Sequence, residues 1–206
     1  MYIIAETERL YIRRFHGSDL DTLCAIMQKP AVMYAWEHEF HRDETFEWLN
    51  RQFIRYEKDG YGYYAVMLKD ARDIAGGADK MDAGTNVRLD ASKFILIRLC
   101  RMIGQVGLLK SELDGVPVME IGYIFDDTVW GHGYAAEAAR ACVDLAFHRF
   151  GADKLYATIR PENAASVNVA VKLGMKKTGE YVKTYRDKAM PHDIYMIENP
   201  ACKAVK

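Results

Sequence analysis

Two glycines one residue apart, where a strand hands over to a helix, limit this chain more than any other feature. The run Val129-Trp130-Gly131-His132-Gly133-Tyr134-Ala135-Ala136-Glu137 follows an apolar strand ending at Phe125 and opens a helix reaching to about Phe150. Gly131 and Gly133 let the main chain approach a ligand with no side chain in the way. The first amides of such a helix have no partners inside it, and the helix dipole adds positive potential. A phosphate or pyrophosphate is the guest this turn suits. Amide hydrogen bonds to a charged group, about 1.5–3 kcal/mol each, add up to a usable anchor. A tight strand-to-helix turn without a ligand accounts for the same residues. No GK[ST] follows, so the run is not a Walker A loop.

A second polar cluster stands just past the next strand. In Pro161-Glu162-Asn163-Ala164-Ala165-Ser166-Val167-Asn168-Val169-Ala170-Val171-Lys172-Leu173-Gly174-Met175, Asn163 and Ser166 open a short helix that ends at Gly174. They serve either as helix caps or as ligand-facing groups.

Around these motifs the periodicity predicts strands over residues 9–15, 61–68, 94–99, 102–110, 118–125, 155–160, 181–185 and 194–197. Asp114-Gly115 predicts a hairpin turn between the fourth and fifth of these. A helix capped by Ser18 runs through Leu20, Leu23, Ile26 and Met27 and closes near Pro30. A second, capped by Asp43 or Thr45, carries Phe46, Leu49, Phe53 and Ile54 on one face. The order of elements predicts a mixed α/β sheet of α+β character, not a doubly wound one. The 206 residues suit one domain, 1–206, with an insertion at about 70–100. Residues 70–93 are rich in Gly, Ala and Asp and weakly periodic. They bury too little to offset their ordering entropy and are expected to be mobile or loosely packed, entering function at most as a flap on the acceptor side.

Half the residues are hydrophobic and 28% are charged, and the formal net charge is −1. No overall field draws the chain to nucleic acid or an anionic membrane, so the partner must be recognised at a site. The four cysteines form no CxxC pair and read as reduced thiols. With no basic n-region in MYIIAETERL and no long apolar run, the expectation is a cytoplasmic protein with no membrane partner. Cys142 sits among apolar helix neighbours and reads as core. Trp36-Glu37-His38-Glu39-Phe40-His41 lacks the HExxH spacing of a zinc helix and reads as a substrate-facing or solvated loop; no metal is expected.

Four segments together resemble the GNAT superfamily of N-acetyltransferases, in its RimJ/RimL-type branch. They are ETERLYIRRF, MIGQVGL, MEIGYIFDDTVWGHGYAAEA and NAASVNVAVKLGM, and the likeness spans nearly the whole chain except about residues 70–100. The resemblance implies a GNAT-like acyl-CoA N-acyltransferase fold with a splayed, mostly antiparallel central sheet. It implies acetyl-CoA as acyl donor, its pantetheine arm lying between the strand ending at Ile124-Phe125 and the strand at 155–160. The backbone of Ile124 and Phe125 would pair with that arm, and the Ile124 amide would meet the oxyanion. Trp130, Gly131, His132, Gly133, Tyr134 and Ala135 would hold the pyrophosphate, Asn163 and Ser166 would line the reactive end, and Lys172 would reach the phosphates. Trp130 stands where the family turn often begins with Gln or Arg. Ala170 stands where many members carry a Tyr general acid, which leaves Ser166 as the nearest substitute.

Direct transfer needs a neutral amine. An α-amine, with a pKa of about 7.7–8.0, is partly neutral at pH 7, whereas a lysine amine near 10.4 is not. Glu120 lies on the strand leading to Ile124, sharing its face with Gly122, and reads either as the general base or as a paired surface carboxylate. The acceptor is an amine-bearing small molecule or a peptide or protein N-terminus. An aminoglycoside-like compound, a polyamine and an amino acid all remain open, as does a homodimer. The alternatives are a non-catalytic acyl-CoA-binding or sensor domain of the same fold, and a nucleotide-binding regulatory domain using the turn at 131–133.

Overall fold

The chain opens with a hairpin, β1 (Ile3–Glu6) and β2 (Leu10–Arg13). In this computed structural model the described residues are 2–69, Ile97 and 100–205. After β2 come α1 (Leu20–Met27), α2 (Pro30–Met33) and α3 (Arg42–Lys58), then the meander β3 (Tyr63–Leu68), β4 (Arg101–Leu113) and β5 (Val116–Phe125). The second half holds α4 (Tyr134–Asp144), β6 (Lys154–Ile159), α5 (Ala164–Lys172), β7 (Lys176–Tyr185) and β8 (Lys188–Glu198). The eight strands form one sheet in the order β1-β2-β3-β4-β5-β6-β8-β7.

Apolar residues on both faces explain why β3, YYAVML, reads as a continuous run rather than an alternation. Tyr64 and Val66 turn to one core with Ile103, Leu108 and the alanine face of α4, while Tyr63, Ala65 and Met67 turn to the other with α1 and α3. Ala138 and Ala139 are fully buried, and their small side chains seat α4 close on the sheet. On the opposite face the Trp48 indole donates to the buried Gln105 Oε1 at 2.9 Å, pinning α3 to β4.

Every neighbouring strand pair is antiparallel except β5 and β6. These two run parallel, joined by α4 as such a crossover requires. Among the described residues they share one bridged pair, Glu120 with Tyr156. Beyond it the strands part, giving the splayed, mostly antiparallel sheet that was expected.

Several boundaries differ from the sequence expectations. β1 carries no clear alternation and was not predicted. Ser18 lies inside a short turn, Gly17–Asp19, in which Asp19 accepts from the His16 amide at 2.7 Å. α3 begins at Arg42, and Glu44 reaches back to the His41 amide at 2.9 Å. Pro30 starts α2 rather than ending α1, because its fixed φ suits a first helical position. β7 and β8 are longer than predicted, since polar residues such as Lys176, Lys177 and Glu180 in β7 and Lys188 and His192 in β8 carry no apolar pattern. The segment 70–93 lies outside the described residues. So does the strand expected over 94–99, except at Ile97, which is helical and fully buried.

The buried pair Arg13–Asp19 gives a stability test. The guanidinium Nη1 and Nη2 each meet a carboxylate oxygen at 2.7 Å. Asp19→Ala leaves Arg13 charged and unpaired in the interior, so urea unfolding should show a loss of about 3–5 kcal/mol.

Candidate active site

The loop after β5 is tied down before the glycine turn begins. Asp126 accepts from the Thr128 amide at 2.8 Å and from its hydroxyl at 2.5 Å. Lys29, at the start of α2, bridges Asp126 at 3.0 Å and Asp127 at 2.6 Å. Burial favours the neutral form of Asp126. The Thr128 donors and the Lys29 ammonium outweigh it and hold the carboxyl down at about 2.

Gly131 and Gly133 then take φ of 80° and 81°, a region costly for residues with a Cβ. A Cβ built on Gly131 meets nothing within 4 Å, so the turn faces open space. Gly133 is the cap of α4. Arg9, from the β1–β2 turn, holds this junction: its Nε donates to Glu137 at 2.7 Å, its Nη1 to the His132 carbonyl at 3.0 Å, and its guanidinium lies 4.5 Å from the Tyr134 ring centre. A cavity of about 330 Å³ opens in front of the turn, lined by Trp130, Gly131, Gly133, Tyr134, Ala135 and Lys172 among others.

A second cavity, of about 340 Å³, is lined by Glu120, Tyr63, Trp48 and His192 among others. The two cavities share Ala35, Trp36, Tyr123, Ile124, Asn163 and Ser166. The two cavities therefore adjoin where the end of β5 faces the start of the α5 helix, which puts the glycine-turn cavity beside the Glu120 cavity.

Glu120 accepts from the Thr158 amide at 3.3 Å and from the Thr158 hydroxyl. Both contacts fall on Oε1, which leaves Oε2 without a partner among the described residues. A Cβ built on Gly122 would lie 1.9 Å from the Tyr63 hydroxyl, so glycine there lets the phenol sit under β5. Burial first, then the nearby Glu120 carboxylate, pushes the Tyr63 phenol well above the usual range. Tyr123 donates from its hydroxyl to the Ser166 carbonyl at 2.8 Å and holds the start of α5 against β5. Burial lowers the His192 pKa, and its Nδ1 contacts the Met190 carbonyl at 2.9 Å. A carbonyl only accepts, so Nδ1 carries the hydrogen and Nε2 keeps its lone pair.

Beside the second cavity, two segments far apart in sequence are joined by ion pairs and a ring contact. Glu37, at a positive φ of 51°, meets Arg160 at 2.7 Å and also pairs with Lys188. Glu44 meets His38 at 2.8 Å and pairs with Arg186. Between these pairs the Trp36 ring stands edge-on to Tyr185, their centres 5.6 Å apart.

Most residues expected at the site converge here. Asn163 does both things open to it: it caps α5, accepting from the Ser166 amide at 3.1 Å, and it lines both cavities. His132 is absent from both linings. Its ring turns back to the Trp130 carbonyl at 2.9 Å and stacks with Tyr134 at 5.7 Å. Trp130 donates from its indole to the Phe125 carbonyl at 3.0 Å, closing the turn where the family's Gln or Arg would stand.

The ladder corrects the backbone reading of Ile124. The Asp126 amide donates to the Ile103 carbonyl at 3.0 Å, and Ile124 pairs with Gln105 two residues further on. Alternation in an antiparallel ladder then turns the Ile124 amide and carbonyl toward β4, and those of Tyr123 and Phe125 toward the gap. Ala170 is fully buried, as is Cys142, whose thiol burial raises far above the usual range. Sequence reading missed Tyr63, Thr158, His192 and Tyr185. Each comes from a different strand, and no local motif gathers them.

An open sheet parted between two parallel strands, with a glycine-capped helix on one side of the gap and a carboxylate on the other, defines the acyl-CoA N-acyltransferase class. The chain belongs to the GNAT acetyltransferase family: residues 9–176 match the model of the acetyltransferase (GNAT) domain. It is 33% identical over 190 residues to the uncharacterized protein YkkB of Bacillus subtilis, with 92% of each chain covered. A GNAT-family acetyltransferase from Bacillus anthracis superposes with a TM-score of 0.67 at 24% identity, covering 96% of this chain and 98% of that one. RimL, a ribosomal L7/L12 alpha-N-protein acetyltransferase solved with coenzyme A, superposes with a TM-score of 0.65 at 16% identity, covering 95% and 97%. The protein is thus an acetyl-CoA-dependent acyltransferase. Among the described residues no helix is long and apolar enough to cross a membrane.

Asp126 ties acid stability to the glycine turn. Its folded pKa lies below the unfolded value of about 3.9. Its contribution is therefore complete above that value and lost as pH falls through about 2. Asp126→Asn should be less stable than wild type near neutrality, and the difference in denaturant midpoint should shrink steadily between about pH 4 and pH 2.

Proposed function

We propose that this chain transfers the acetyl group of acetyl-CoA directly to a primary amine, with a peptide or protein N-terminal α-amine as the favoured acceptor. The observation that carries this reading is the pair of adjoining cavities at the end of β5, one lined by the glycine turn and the other by the Glu120 carboxylate. The α-amine preference follows from its pKa, since a larger share is neutral near pH 7 than for a lysine. RimL, which acts on a protein α-amine by its name, shares the fold. The whole of 1–206 is read as one acetyltransferase domain with an insertion at about 70–100.

The residues present suit the donor. The glycine turn and the first amides of α4 face open space where a pyrophosphate would lie, and Lys172 stands on the rim of the same cavity. The amides of Tyr123 and Phe125 are the gap-side donors for the pantetheine arm and the oxyanion, in place of Ile124. On the acceptor side Glu120, held by Thr158 through one oxygen, takes the amine proton on the other, directly or through water. The amine nitrogen bonds to the thioester carbon, the carbon–sulfur bond breaks, and the thiolate leaves. A solvent proton returns to the sulfur, directly or relayed through the Ser166 hydroxyl, which regains its own proton from water.

Gly133→Val forces a β-branched residue into a left-handed conformation at the cap. Calorimetry on the folded variant should show acetyl-CoA affinity reduced at least about tenfold, the loss of one charge-assisted amide contact. Unchanged affinity would place the pyrophosphate elsewhere. Glu120→Gln should lower kcat about 10²–10⁴-fold with acetyl-CoA affinity nearly intact, read as thiol release. Full activity in that variant removes Glu120 from the proton path. Binding of acetyl-CoA with no thiol release across an amine library would mark a sensor domain.

A further inference from the structure

The second cavity is unevenly charged. Its lining carries four cations, Arg55, Lys110, Arg160 and Lys183, against the carboxylate of Glu120. Two of the cations are already matched: Lys110 meets Asp59 at 2.6 Å, and Arg160 meets Glu37 at 2.7 Å as well as Glu162. Lys183 and Arg55 meet no carboxylate among the described residues; Arg55 reaches only the neutral Gln52, at 3.3 Å. Arg160 also keeps a buried Nε donor without a partner among the described residues.

Lys183 is placed against the usual pattern of an outer strand. Along β7 the half-buried row is Tyr181, Lys183 and Tyr185, and the exposed row is Glu180, Val182 and Thr184. The cation thus stands on the inward row, flanked along the strand by Tyr181 and Tyr185, with no carboxylate paired to it among the described residues. Tyr181 pairs across the ladder with His192, and Lys183 with Met190, so this row flanks the His192 side of the cavity. His192 lies within reach of these charges: burial is the main cause of its lowered pKa, Lys183 and Arg160 add to it, and the Met190 carbonyl and Glu120 oppose it.

Resting on the acetyl-transfer reading above, we propose that the acceptor is an amine carrying an anionic group on the same molecule, a carboxylate or a phosphate, with the amine at Glu120 and the anion at Lys183 and Arg55. A cationic polyamine meets repulsion where an anionic amine meets attraction. An N-terminal α-amine followed by an acidic side chain satisfies both ends, as does a free amino acid.

The test compares acceptors that differ only in the anion. The first pair is Ala-Asp-Ala-amide with Ala-Asn-Ala-amide, and the second is 2-aminoethyl phosphate with ethanolamine; spermidine serves as the opposite charge. Each is assayed by thiol release and, separately, by calorimetric titration into the protein. The anionic member of at least one pair should be favoured about tenfold in kcat/KM and in affinity, the scale of one charge-assisted contact. Whichever pair shows the preference identifies carboxylate or phosphate as the recognised group. Lys183→Gln combined with Arg55→Gln should erase the preference through acceptor KM while leaving the KM for acetyl-CoA in place. Equal binding within both pairs, a preference for spermidine, or a preference that survives the double substitution overturns the proposal. Failure of every amine to release thiol overturns the acetyl-transfer reading, while the calorimetric comparison still decides the charge preference.

Discussion

Two parallel strands that meet at one pair of residues and then diverge impose the rest of this architecture. In a continuous sheet the backbone groups of β5 and β6 would satisfy each other, and side chains would close over the seam. Here the pairing of Glu120 with Tyr156 is followed by separation, so Tyr123 and Phe125 turn their amides and carbonyls toward a gap. Such a seam is tolerable only if something else supplies partners. The protein supplies one itself, the Trp130 indole on the Phe125 carbonyl. An amide-bearing substrate arm lying along the seam supplies the others in the proposed reading.

Holding two strands apart requires both sides to be rigid. β5 is fixed by its long ladder with β4, and β4 in turn is fixed by Trp48 through the buried Gln105. On the far side β6 is clasped by β8, and α5 is tied to α4 where Arg140 reaches the Leu173 carbonyl at 3.2 Å. The first hairpin, distant in sequence, closes the frame through Arg9 and Glu137. The ETERL and AAEA segments therefore work as a unit, although nothing local in either one shows it.

Much of this was legible from residues alone, and the failures have physical causes. The glycine turn, the Asp114-Gly115 hairpin and the Gly174 stop announce themselves because each needs a backbone conformation that few residues accept. The helix starts were placed less well, since His16 and His41 are poor statistical caps and succeed through Asp19 and Glu44 reaching back. At the site, Glu120, Asn163 and Ser166 could be found because they sit beside motifs. Tyr63, Thr158 and His192 could not, because strand order brings them together and sequence spacing carries no record of it. The orientation of the Ile124 amide depends on ladder phase, which a resemblance does not transmit and one hydrogen bond from Asp126 settles.

The frame of the second cavity mixes two kinds of bond with opposite responses to solvent. The pairs of Glu37 with Lys188 and of Glu44 with Arg186 join exposed cations to half-buried carboxylates, so dissolved salt screens them in part. The edge-on contact of Trp36 with Tyr185 rests on ring surface and quadrupole, which salt leaves in place. Rising ionic strength therefore weakens the polar part of this link between the α2–α3 segment and the β7–β8 turn while its aromatic part persists.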